Sequence, residues 1–111
     1  MDESLVASVD LIAERPSGER TPLALRVGAP TRSSAGDWNC RIHLDGLIAP
    51  TDIHGEDSLQ ALCLGLGMVE TLLRRFMAAG GRLRALDAND DETWPIDAYF
   101  GGFGSQPAST T

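Results

Sequence analysis

Apolar and polar residues alternate along residues 5–15, with Leu5, Ala7, Val9, Leu11 and Ala13 in one series and Ser8, Asp10 and Glu14 in the other. A period of two puts successive side chains on opposite faces of an extended chain, so this run predicts a half-buried strand. Pro16, Ser17, Gly18 and Glu19 form a turn cluster, in which proline fixes φ and glycine tolerates a positive one. Leu23, Leu25 and Val27 then alternate with Ala24 and Arg26, which predicts an antiparallel hairpin. Gly28, Ala29 and Pro30 close it, and residues 31–37 are small and polar and read as a loop. The third alternating run sets Trp38, Cys40, Ile42 and Leu44 against Asn39, Arg41 and His43. Asp45-Gly46 is a turn signal; Leu47 and Ile48 continue the strand or make a short fourth one before Pro50, and residues 51–57 lead onward.

The period changes at Asp57. Leu59, Leu62, Cys63, Leu66, Val69, Leu73, Phe76 and Met77 recur at steps of three and four, which at 3.6 residues per turn gathers them on one face of a helix. Asp57 is placed to cap the first turn with Gln60 as its capping-box partner, and Gly80-Gly81 ends the helix. About 22 residues at 1.5 Å each give roughly 33 Å, enough to cross a sheet. Gly65 and Gly67 each cost about 1 kcal/mol relative to alanine inside a helix, which points to close packing against the sheet or a partner helix. Arg82, Leu83, Arg84, Ala85 and Leu86 alternate again and predict a last strand with its arginines facing solvent.

These elements define an α+β fold of two layers, an antiparallel sheet of four to five strands with one long helix packed across one face. Residues 1–104 form a single domain, with a core at 5–86 and an acidic and aromatic appendage at 87–104; residues 105–111 are expected to be disordered.

Composition narrows the function. Sixteen carboxylates face nine basic residues, all arginine, for a net charge of −7 over 111 residues. That balance repels nucleic-acid phosphate and acidic lipid and favours a basic protein surface. The longest apolar run, residues 61–69, is about half the roughly 20 residues of a membrane-spanning helix. The acidic start, Met1-Asp2-Glu3-Ser4, lacks the basic and then apolar character of a secretion signal. A cytoplasmic location is therefore expected, with Cys40 and Cys63 reduced.

Candidate chemistry is sparse. Cys40, His43, His54 and Cys63 have the ligand types of a zinc site, but Cys40 and His43, three apart in a strand, point to opposite faces, and Cys63 lies on the expected buried stripe. Asp87-Ala88-Asn89-Asp90-Asp91 matches the opening of a calcium loop, yet Glu92 and Ala98 stand where that motif needs glycine and a closing glutamate. Asp52, His54, Glu56 and Asp57 surround a possible general base without a nucleophile in fixed relation to it. Arg74, Arg75, Arg82 and Arg84 concentrate positive charge near the helix end, where cations suit the macrodipole. No catalytic residue, cofactor or metal is assigned. A small enzyme centred on His54 ranks last.

Gly36-Asp37-Trp38-Asn39-Cys40 and Gly55-Glu56-Asp57-Ser58-Leu59-Gln60-Ala61-Leu62 resemble the G-D-W-x-C strand start and G-x-D-S-x-Q-A-L helix start of a group of small bacterial domains of unknown function. The likeness covers residues 10–86 and implies the same fold. Small acidic bacterial α+β domains are often immunity proteins encoded beside secreted toxins, an analogy of class. The function expected first is a non-enzymatic, protein-binding immunity protein that neutralises a toxin with a basic surface. Its contacts would be Asp87, Asp90, Asp91, Glu92, Trp94, Asp97 and Tyr99, a segment with five carboxylates and no base. A structural or assembly subunit, a homodimer or part of a larger complex joined through an exposed sheet edge or the Gly65 to Gly67 surface of the helix, is the alternative.

Overall fold

The computed structural model describes residues 4–86 and 93–100. Six strands, β1 (Leu5–Glu14), β2 (Arg20–Gly28), β3 (Thr31–Arg32), β4 (Trp38–Asp45), β5 (Thr51–Gly55) and β6 (Arg82–Ala85), form one sheet. A long helix, α1 (Ser58–Ala78), lies on one face, and a short one, α2 (Ile96–Phe100), ends the described chain. Every strand pairing is antiparallel, along the path β3-β4-β2-β1-β6. Ile42 pairs with both Val27 and Thr51, so β5 flanks β4 on the side away from β2.

The core comes from the alternation. Leu11 and Ala13 of β1, Leu23, Leu25 and Val27 of β2, Cys40, Ile42 and Leu44 of β4, and Leu83 of β6 are all buried. Register puts these positions on one face: Leu11 lies opposite Leu23, and Leu25 opposite Leu44. The helix covers them with Ala61, Gly65, Val69 and Leu73, a line of i, i+4 steps that runs along one side of the cylinder.

The ends of α1 are fixed by its own polar groups. Asp57 accepts a hydrogen bond from the Gln60 amide at 2.7 Å, and the Gln60 side chain accepts from the Glu56 amide at 2.7 Å. At the far end Gly81 N–H donates to the Phe76 carbonyl and Gly80 N–H to that of Met77. This is the paired closure of a Schellman motif, and it needs the positive φ of +101° at Gly80.

Four expectations change. The sheet has six strands because two short ones, β3 and β5, occupy stretches read as loops; β5 offers Thr51, Asp52 and His54 with a single apolar Ile53, too polar a run to betray itself by alternation. The buried line of α1 is turned from the expected stripe: Ala61 and Gly65 are at its centre, whereas Leu59 is 68 % exposed and Cys63 is exposed. Small residues mark the line because the layers are closest there. Arg84 does not face solvent; it is 7 % exposed and its Nε donates to Glu14 Oε1 at 2.6 Å, where Arg20 also reaches the carboxylate at 3.4 Å. The appendage is partly core, since Trp94 and Ile96 join the buried cluster. No helix among the described residues is long and apolar enough to cross a membrane.

Candidate binding groove

Strand lengths create the site. β1 has ten residues and β6 four, so β6 pairs only with residues 11–14 of β1. Residues 5–10 pair with β2 alone among the described strands. Past β6 the chain returns at Trp94, whose N–H donates to the Leu83 carbonyl at 2.7 Å. From there Pro95, which fixes its own φ and suits a first helical turn, leads into α2.

A groove of about 560 Å³ lies between α1, α2 and the uncovered half of the sheet. Ala7 and Val9 of β1 and Leu25 and Val27 of β2 form its floor. Cys63, Leu66, Gly67, Val69 and Glu70 of α1 form one wall, and Trp94, Tyr99 and Phe100 form the other. Trp94 stacks on Tyr99 with ring centroids 4.4 Å apart and planes 24° from parallel, an offset arrangement that fixes both rings. Glu70 is the one charged residue of the lining. Volume and apolar walls fall in the ordinary range for ligand and peptide sites.

An acidic clamp holds the walls together. Arg74 donates from Nε to Glu70 Oε2 at 2.9 Å and from Nη2 to Asp97 Oδ1 at 2.7 Å, joining α1 to α2. These carboxylates, Asp97 foremost, hold the guanidinium proton above its ordinary affinity. Two carboxylates share one cation, so the cluster keeps an excess negative charge.

Of the seven contact residues expected from the sequence, the groove brings Trp94 and Tyr99 together and places Asp97 beside them. Trp94 is 4 % exposed and packs the wall from within; Tyr99, 53 % exposed, is the ring a partner meets. Asp87, Asp90, Asp91 and Glu92 lie outside the described residues, in the connection between β6 and Thr93. Sequence reading offered Gly67 only as part of an assembly surface and missed Ala7, Val9, Cys63 and Leu66 as groove residues. Two signals pointed to them: the apolar arc on α1 is wider than one line of contact needs, and the first strand is about twice the length of the last.

The other candidates take structural places. Cys40 lies under Gly65 in the core, while Cys63 borders the groove. His54 Nδ1 is 3.4 Å from Asp37 Oδ2, and Asp52 receives two hydrogen bonds from Arg41 at 2.8 and 3.1 Å. Asp57 caps α1. Asp37 is held below the ordinary carboxylate range, first by the Ser33 hydroxyl, and Asp52 first by the Arg41 guanidinium. Among the described residues no three His, Cys, Asp or Glu side chains are grouped for a metal ion.

Fold and groove together define a helix-on-sheet α+β domain with one open, apolar flank. The chain belongs to the DUF6968 family, a domain of unknown function, whose model matches residues 12–96. That match takes in Trp94, the buried part of the groove wall, and the core residue Ile96. No curated protein and no solved structure matches the chain.

Proposed function

We propose that this chain is a non-enzymatic protein-binding domain, and specifically a cytoplasmic bacterial immunity protein that neutralises a toxin by occupying its surface. One observation carries the reading: an apolar groove with an exposed tyrosine on its wall and an acidic clamp at its rim. An aromatic anchor beside two carboxylates that share one cation suits a partner that offers apolar side chains with a basic one. The net charge of −7 steers such a partner toward the chain at a rate that falls with added salt. A homodimer is the second reading, favoured by the exposure of Leu5 and Val6, 45 and 52 %, on a strand half paired on one side only.

The test uses the C-terminal domain of a secreted protein encoded beside this gene. Co-expression of the chain with that domain restores growth, and the purified pair forms a complex. Tyr99→Ala and Gly67→Phe, which respectively remove the anchor and fill the groove, each weaken the complex at least tenfold. If both variants bind as the parent does, the groove is not the contact surface; if no complex forms and growth is not restored, the immunity reading is wrong.

A further inference from the structure

The groove opens along a strand edge, and that edge is the second half of the site. β1 is hydrogen-bonded on both sides at residues 11–14 but, among the described strands, on one side at residues 5–10. A half-paired strand presents backbone N–H and C=O groups in the plane of the sheet, a ready template for another strand. Folded proteins usually blunt such an edge with lysine, proline or a distortion. Residues 5–10 contain no proline, their one charged residue, Asp10, is tied to Arg26 of β2, and the single irregularity, a register shift between Leu5 and Ala7, leaves residues 7–10 in regular register with β2.

We infer that this edge receives an extended segment of a protein partner as an added strand, with alternate apolar side chains entering the groove and a basic side chain beside them at its rim. The inference rests on the reading of the chain as a protein-binding domain and specifies how that binding occurs. In an added strand, side chains on one face continue the row of Ala7 and Val9, which floors the groove, and those on the other face continue the row of Ser8 and Asp10. The first row calls for apolar residues. The second calls for polar ones, because Asp10 on that face is already paired with Arg26 of β2 at 2.8 Å; basic side chains belong at the groove rim instead, where Glu70 and Asp97 share the single Arg74. Backbone pairing then supplies affinity, and alternate side chains supply selectivity. A second copy of this chain fits less well, because it would bring a further charge of −7 to the same acidic surface.

The test starts from a displayed library of random twelve-residue peptides selected on the immobilised full chain. The enriched peptides should alternate apolar with polar residues and carry an arginine or lysine next to the apolar row. For one of them, two analogues are made, N-methylated at alternate amides in the two possible phases. One analogue should bind at least tenfold more weakly than the parent peptide and the other like it, because only one edge of an added strand pairs with β1. Amide exchange on the protein should slow at residues 5–10 when the parent peptide is bound. The proposal is overturned by enrichment without alternation, by equal behaviour of the two analogues, or by no enrichment at all. It is also overturned if light scattering shows a dimer whose residues 5–10 are protected without peptide, which makes a second copy the occupant. Peptides that bind regardless of methylation phase, yet are lost on Gly67→Phe, would refute strand addition and leave the protein-binding reading standing; failed growth rescue refutes that reading separately.

Discussion

The interface between α1 and the sheet is closed beneath Gly65 and open beside Gly67, although the two glycines stand two residues apart in one helix. A Cβ added at Gly65 would lie 3.1 Å from Ile42 Cδ1 and 3.2 Å from Cys40 Sγ, whereas one added at Gly67 would meet nothing within 4 Å. On the closed side the missing side chain lets the helix backbone approach β4, and the core there is fully buried. On the open side the sheet continues under no helix, and the missing side chain widens a groove. One residue type thus serves packing in one place and vacancy in the other, because a helix turns its face by about 200° over two residues at 3.6 per turn.

The largest expected difference is between leucines. Leu73→Ala on the closed side removes a side chain with no exposure and should cost about 2–5 kcal/mol, read from urea unfolding. Leu64, half-exposed on the same helix, should cost within about 0.5 kcal/mol when cut to alanine. Equal losses would mean that the two sides are not distinct.

The glycines should differ in sign. Gly67→Ala should raise stability by about 1 kcal/mol, the full helix-propensity gain. Gly65→Ala has the same gain set against crowding of a filled core, typically 1–3 kcal/mol, so stability should fall by up to about 2 kcal/mol. A stabilising Gly65→Ala would show that Ile42 and Cys40 have room to yield.

A smaller effect separates the strand ends. Removing the cap with Asp57→Ala should cost about 1 kcal/mol, and it should leave the groove unaltered. At the β1–β6 end, Glu14 is held below the ordinary carboxylate range, first by its hydrogen bond from Arg84. A lowered folded-state value stabilises the fold above the unfolded-state value and is lost as pH falls through the folded one. Asp37 and Asp52 act in the same direction. Thermal melts should therefore weaken on acidification below the ordinary carboxylate range. Arg84→Met should shallow that acid limb, and an unchanged limb would show that Arg84 does not set the Glu14 proton affinity.

Much of the fold was legible because it rests on period. Alternation located β1, β2, β4 and β6, and the change to 3.6 located α1 with Asp57 and Gly80 at its ends. The short strands were hidden: Thr31–Arg32 is two residues long, and β5 owes its place to pairing with β4, a long-range cause with little local trace. The turn of the helix stripe was hidden as well. Hydrophobicity favoured Leu59 and Cys63 over Ala61 and Gly65, whereas the closest contact of two layers selects for small size. For the site, the sequence marked Trp94, Asp97 and Tyr99, but it could not show that α1 and β1 supply the floor and opposite wall. That required knowing which half of β1 lacks a second neighbour.

Amide hydrogen exchange on the free chain tests that point most directly. Residues 11–14, paired on both sides, should be protected continuously along the strand. Residues 7–10, paired with β2 alone, should show protection at every second amide, with the intervening amides exchanging at close to the rate of an exposed backbone. Continuous protection through residues 7–10 in a monomeric sample would mean that the second edge of β1 is already covered, and the open flank would not be a site.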